Sequence, residues 1–321
     1  MGFLYFLRRF NAADDFAGLK KATEKHALSH DHRAYEQQLM QYDEEVIFDE
    51  SCNAVGFIGS GKGQHTLNSY RKLNFGGRML FEKIYSIDSL DWRKCQYFYE
   101  QIHPRLNGSG ICVPALLWPL FGNRLVVARF EFVDFSMIGS ELYLEEVVRL
   151  TNSMASLGPV GAGAPPELQD LSQHFGFERC FKKSVGVLEN AREKVGLLTL
   201  MRKQCEALPR FVGHGDLSRP NMAGDGLVLD WDNFGFYPPG FDLALALVLK
   251  GDLLGEDELV SFARQGHEGV RKHCTFDEFW FSLVFFYGVF LSARKAEHKI
   301  YCFSLLEPRL LALGREMVVM E

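Results

Sequence analysis

The chain has no C-x-x-C pair, and its seven cysteines, at 52, 95, 112, 180, 205, 274 and 302, are odd in number and widely scattered. That pattern fits neither a disulfide framework nor a zinc site, and it leads to an expectation of reduced thiols in a cytoplasmic protein. A basic excess is also missing. The 35 Lys and Arg against 41 Asp and Glu leave a net charge of -6, the wrong balance for neutralising the phosphates of a nucleic acid. No apolar run reaches the ~20 residues that cross a bilayer. The longest, Phe279 to Ala293, is interrupted by Ser282 and Gly288 and reads as a buried helix. The start, Met1 to Arg9, places its apolar residues before its basic pair, the reverse of a signal peptide, with no small-residue cleavage site. Phe6 stands where a myristoylation signal carries Ser or Thr. The aromatic stretch Phe3 to Phe10, with its two arginines, suits a peripheral contact with a membrane surface or packing on the protein itself, and packing is the simpler expectation. Low complexity is confined to residues 156–166, rich in Gly, Ala and Pro.

A chain of 321 residues, 47% hydrophobic and 24% charged, can bury a sizeable core as one large domain or two lobes. Three textures follow one another. Residues 1–44 read as a helical extension of mixed charge. Residues 45–133 carry short β-rich runs: Val46 to Phe48, Ala54 to Ile58 and Arg78 to Tyr85. Within them a helix from Leu90 to Ile102 is expected to end before Pro104, since proline disfavours helical geometry in its predecessor. A strand pair over Ile111–Phe121 and Arg124–Val133 is then joined at Gly122-Asn123. Residues 134–321 read as mainly helical, with helices near 186–208, 242–250, 256–272, 277–296 and 303–314.

The densest chemistry lies in His214-Gly215-Asp216-Leu217-Ser218-Arg219-Pro220-Asn221, followed by Leu229-Asp230-Trp231-Asp232 and Phe241-Asp242-Leu243-Ala244. Random placement in a chain of this composition gives H-x-D-x-x-x-x-N roughly 0.02 times. Phosphoryl transfer needs a carboxylate to orient the attacking hydroxyl and take its proton, and oxygen ligands that hold magnesium on the nucleotide phosphates. Asp216 fits the first need. Asn221 and Asp230, hard oxygen donors, fit the second. Asp232 is a weaker candidate, and Asp242 also stands where it can cap a helix.

These motifs, H-G-D-x-x-x-x-N, then apolar-D-W, then D-L-A, resemble the aminoglycoside phosphotransferase and choline kinase-like family, relatives of the protein kinases. The resemblance implies an α+β, protein-kinase-like two-lobed fold, with an antiparallel sheet in the N-lobe and a mainly helical C-lobe. It implies ATP and magnesium, and transfer of the γ-phosphoryl group to a hydroxyl of a small molecule of aminoglycoside, sugar or amino-alcohol type. It makes Asp216 the base, with Asn221 and Asp230 on the metal, His214 packed under the catalytic loop and Asp242 bonded to that loop's backbone. Only eight residues separate Asn221 from Asp230, fewer than the family commonly has, and the turn over Met222–Gly226 is expected to close that hairpin.

In the N-lobe, Gly56 to Gly63 matches the Walker pattern until its last position, where Gly63 replaces the hydroxyl residue that would bind magnesium. A P-loop ATPase is therefore the poorer reading. A kinase-type glycine loop, presenting backbone amides at Gly59, Ser60 and Gly61 to phosphates, is the better one. By the same resemblance Lys83 is the strand lysine for the α- and β-phosphates, Glu100 its helix partner, and the adenine is expected near Glu131, Phe132 and Val133. A protein kinase is disfavoured by H-G-D for H-R-D, D-W-D for D-F-G and the lack of A-P-E. A non-catalytic nucleotide sensor or scaffold remains the alternative from another class.

Overall fold

The computed structural model describes residues 2–48, 51–60, 66–67, 69–106, 108–161, 163–187, 192–251 and 253–292. The chain divides into two compact units, Met1–Ile102 with Val113–Phe135, and His103–Cys112 with Ser136–Glu321.

The first unit opens with helices α1 (Gly2–Leu28) and α2 (His32–Tyr42). Asp31 caps α2, its carboxylate accepting the Ala34 N–H at 3.0 Å. Three strands follow, β1 (Cys52–Ser60), β2 (Ser69–Phe75) and β3 (Arg78–Ser86). Then come helix α3 (Leu90–Tyr97), a π-helical turn over Phe98–Ile102 and the short α4 (His103–Leu106), with which the second unit begins. Strands β4 (Leu116–Phe121) and β5 (Leu125–Glu131) complete an antiparallel sheet of order β1-β2-β3-β5-β4. A mixed fold with a five-stranded antiparallel sheet and a helical part is thus what the α+β expectation required.

Alternation along the strands sends successive side chains to opposite faces. On one face Ile84, Leu125 and Val127 join Phe16 and Leu19 of α1 and Tyr35 and Leu39 of α2 in a dry core. On the other face Tyr85, Val126, Ala128 and Phe130 pack with Trp92 and Cys95 of α3. The first face also carries charge. Arg71, Glu82 and Arg129 sit on neighbouring strands in register, all buried. Glu82 takes Arg71 on one oxygen at 2.6 Å and Arg129 on the other at 3.3 Å, while Arg71 reaches Glu36 of α2 at 2.7 Å. Asp43, just past α2, accepts the N–H groups of Asn123, Arg124 and Leu125 and so fixes the β4–β5 turn.

Several elements differ from the sequence expectation. The helical path does not stop before Pro104; it runs on to Leu106. The π turn ends one register and a new α turn begins at His103, so Pro104 falls in a first turn where its missing N–H is not needed. Val46–Phe48 forms no strand; the Val46 N–H bonds the Asp43 carbonyl in a turn, and its side chain fills the α1–α2 core. Strand β4 starts at Leu116 rather than Ile111 because Cys112 pairs elsewhere, its N–H on Gly226 and its carbonyl on Val228. Strand β2 had no counterpart in the sequence reading.

In the second unit α5 (Tyr143–Ala155), the short α6 (Pro166–Gln169), α7 (Phe175–Val187) and α8 (Arg192–Ala207) precede a two-stranded ribbon of β6 (Phe211–Gly213) and β7 (Gly235–Tyr237). Of the helix expected over 186–208, α8 covers Arg192–Ala207 and α7 ends at Val187; residues 188–191 and 303–314 lie outside the described residues. Helices α9 (Phe241–Leu249), α10 (Glu256–His267) and α11 (Phe276–Ser292) close the unit. Residues Phe279–Tyr287 of α11 are all buried, as an apolar helix without a polar face must be. Phe177, Phe241, Phe286 and Phe290 meet at ring separations of 4.9–6.1 Å. This aromatic core fixes the start of α7 against the start of α9, and both ends carry residues of the site.

Candidate active site

Strand β6 ends at Gly213, and the next residues form a loop with almost no regular structure. Such a loop needs other partners for its peptide groups. Asp242, in the first turn of α9, accepts the His214 N–H at 2.8 Å on one oxygen and the Gly215 N–H at 2.7 Å on the other. Its side chain therefore anchors the loop rather than capping its own helix, which begins after Gly240. Burial pushes the Asp242 carboxyl up, and the two N–H donors and His214 oppose that rise.

His214 is fully buried with its ring edge-on to Trp231. Its Nδ1 accepts the Asp216 N–H at 3.1 Å, so the ring proton sits on Nε2, which donates to the Leu229 carbonyl at 2.8 Å. The imidazole ties the loop to the segment leading to Asp230. Gly215 adopts φ +80°, and a side chain there would run into the Asn233 carbonyl and the Tyr237 hydroxyl. This is the one loop position where geometry demands glycine.

Asp216 is half-buried. Burial holds its carboxyl above the ordinary range and the negative charge of Asp230 adds to this, with His214, Ser218 and Asn221 pulling the other way. Asn221 donates its amide hydrogens to the Asp216 carbonyl at 3.0 Å and toward the Asp216 carboxylate at 3.4 Å. That orientation turns its oxygen Oδ1 away from Asp216. The hairpin after Asn221 closes through Ala223 N–H to Leu227 O and Leu229 N–H to Asn221 O, both within 3.0 Å. It delivers Asp230 exposed and in a left-handed conformation at φ 59°. Asp216, Asn221, His214 and Asp230 thus stand on one continuous hydrogen-bonded loop and hairpin. Among the described residues, no cluster of three or more His, Cys, Asp and Glu of metal-holding arrangement occurs.

Three bracing residues escaped the sequence reading. Tyr143 donates its hydroxyl to the Leu217 carbonyl at 2.6 Å, Arg219 donates its guanidinium to the Ile138 carbonyl at 3.1 and 3.2 Å, and His174 bonds the Gly215 carbonyl at 2.8 Å. Tyr143 and His174 lie outside any motif, so only the fold brings them to the loop.

The remaining sequence candidates belong to the first unit. Gly59 and Ser60 are not a free loop; they end β1, paired with Tyr70 and Ser69. Gly61 lies outside the described residues. Lys83 is buried on the α3 side of β3, its ammonium 5.2 Å from the Tyr70 ring centroid. Glu100 is exposed on the π turn and accepts from Gln96 Nε2 at 2.8 Å. The Glu131 N–H goes to the Ala115 carbonyl and the Phe132 N–H to Met79, so both donors are engaged within the sheet. Glu131 itself pairs with Arg78 at 3.4 Å, both exposed, and Val133 follows beyond the end of β5. No helix among the described residues is long and apolar enough to cross a membrane.

None of the curated proteins compared matches this sequence. Among solved structures, the chain is similar to a thermostable mutant of aminoglycoside phosphotransferase APH(4)-Ia in a ternary complex with AMP-PNP and hygromycin B, at 12% identity over 78% of this chain and 91% of that one, TM-score 0.44. It is similar to a microcompartment-associated aminopropanol kinase at 12% identity over 74% and 82%, TM-score 0.44. It is also similar to choline kinase from Cryptosporidium parvum Iowa II at 10% identity over 84% and 92%, TM-score 0.48. Residues 132–274 match the phosphotransferase enzyme family. The matched stretch contains the loop from His214 to Asn221 and Asp230, and the family it matches is the one the motifs resemble.

Proposed function

We propose that this protein transfers the γ-phosphoryl group of ATP to a hydroxyl of a small molecule, with Asp216 as the base. The observation that carries the reading is the Asp216 carboxylate itself. It is half-buried, raised in proton affinity, and mounted on a loop whose peptide groups are held on every side. A raised carboxylate is a stronger base, and fixed geometry is what positions a nucleophile. The acceptor hydroxyl gives its proton to Asp216 as its oxygen bonds the γ-phosphorus, and the bond from phosphorus to the β,γ-bridging oxygen breaks to release ADP.

The donors near Asp216 fit magnesium. The carboxylate of Asp230 and the outward-turned oxygen of Asn221 are hard ligands, and the mutual repulsion of Asp216 and Asp230 is what a divalent cation offsets. Held by Asp230 and Asn221, the ion would supply positive charge against the charge that develops on the phosphates. Lys83 would hold phosphates, and the backbone near Glu131 and Val133 the adenine. Acceptors of amino-sugar, sugar or amino-alcohol type fit the family, and the net charge of -6 favours a cationic one.

The test is magnesium-dependent ATP consumption by wild type and Asp216→Ala across amino sugars, neutral sugars and amino alcohols. Turnover stimulated by one acceptor should fall about 10²- to 10⁴-fold in the variant. Near-normal turnover of Asp216→Ala would sink the assignment.

A further inference from the structure

The Gly215 carbonyl and the Asp216 N–H belong to one peptide group, the one from which the Asp216 side chain departs. His214 Nδ1 takes the N–H end of that group at 3.1 Å. His174, from the start of α7, meets the carbonyl end at 2.8 Å. The protonation of His174 is fixed by its other nitrogen. Nδ1 accepts the Phe177 N–H at 2.9 Å, so the hydrogen is on Nε2 and points at the Gly215 oxygen. The ring is buried, edge-on to Tyr237 and Phe241 at 5.6 and 5.2 Å. The Phe177 N–H thus sets which nitrogen carries the hydrogen, and the aromatic core sets where the ring lies.

We propose that His174 is a positioning residue for the catalytic loop: with His214 it grips the peptide plane before Asp216 at both ends and so sets the direction of the Asp216 carboxylate. Without the His174 donor the buried Gly215 carbonyl loses its partner, and the plane is free to rotate about the His214 contact. A small rotation there swings the carboxylate away from the acceptor oxygen, and misplacement of about 1 Å can cost about 10²-fold in rate. The consequence for rate rests on the phosphotransferase reading; the consequence for the loop does not.

The two nitrogens of His174 do different work, which makes the test selective. His174→Asn places an oxygen where Nδ1 was and keeps the acceptor for Phe177, while falling short of Gly215. His174→Gln extends an amide to the Nε2 position and keeps the donor to Gly215, while giving up the bond to Phe177. If His174 only supports α7, Asn should be the harmless change and Gln the harmful one. If it positions the loop, the order reverses.

Turnover would be measured with magnesium-ATP and whichever amino sugar, sugar or amino alcohol drives wild type best, beside amide hydrogen exchange of the segment 213–218. We expect kcat to fall about 10- to 100-fold in His174→Asn with KM for ATP little changed, and to recover most of the way in His174→Gln. Exchange at 213–218 should speed up in the Asn variant and stay near wild type in Gln. Wild-type exchange at 213–218 in His174→Asn overturns the proposal whatever the activity. So does undiminished kcat in that variant. A wild type inactive with every acceptor would count against the phosphotransferase reading alone, because the exchange comparison still decides the role of His174.

Discussion

The negative charge of Asp230 adds to what burial already does to Asp216, and the two together hold the Asp216 carboxyl above its ordinary range. The sign of the effect on stability follows. A carboxyl whose folded pKa exceeds its unfolded value, about 3.9, stabilises the fold only while protonated. That contribution is present below the unfolded pKa and is lost as pH rises through the folded one. At neutral pH the ionised Asp216 is thus a burden on the fold, as functional groups commonly are. Asp216→Asn should melt higher than wild type at pH 7, and the difference should shrink as pH falls through the raised folded pKa, with the change complete by about pH 4. Thermal melts across pH would show it; an Asn variant less stable at pH 7 would contradict the direction. The acid limb of kcat in wild type should likewise lie above the normal aspartate range.

Gly215→Ala should damage the fold and the activity together. At φ +80° a Cβ meets the Asn233 carbonyl, which is backbone and cannot rotate away. The left-handed conformation alone costs about 1–2 kcal/mol in an L-residue. We expect a lowered urea midpoint and severely reduced turnover, with Gly224→Ala, where added bulk meets nothing within 4 Å, close to wild type.

Removing one partner from the buried cluster of the first unit should be far more harmful than removing an exposed one. Glu82→Ala takes the glutamate from buried Arg129 and leaves buried Arg71 with Glu36 alone, a change that typically costs about 3–5 kcal/mol. Glu268→Ala breaks the pair with Arg271, whose side chains are 60% and 63% exposed, and should stay within about 0.5 kcal/mol. Urea unfolding at two salt concentrations would separate them.

Asn221 works with both ends of its amide, one on the Asp216 carbonyl and the other turned outward. Asn221→Ala should therefore raise the magnesium concentration needed for half-maximal turnover and also lower kcat at saturating magnesium. An unchanged magnesium requirement would remove Asn221 from the metal.

The loop proposed to be catalytic was legible as a local unit. His214, Asp216 and Asn221 lie within eight residues, and the short Met222–Gly226 turn closes its hairpin much as a tight-turn signal suggests. What was illegible depends on distant parts of the chain. His174 and Tyr143 reach the loop from 41 and 74 residues away in sequence, and nothing in their local context marks them. Strand β2 hides because its alternation includes Arg71, a charge that looks like solvent exposure until Glu36 and Glu82 are seen around it. Pro104 misled for the opposite reason, a local rule overridden by a π turn that resets the helix.

The contact of α2 with the sheet has an arithmetic side. Arg71 and Arg129 face a single glutamate within the sheet, Glu82, so the three strands by themselves enclose one surplus positive charge. Glu36 supplies the missing negative one. Interior neutrality is thus completed only when a helix docks, and the strands cannot close their dry face alone without leaving a cation unbalanced. The N-terminal helices are in this sense the counter-ion of the sheet, and a chain deprived of them should hold its strands open to water.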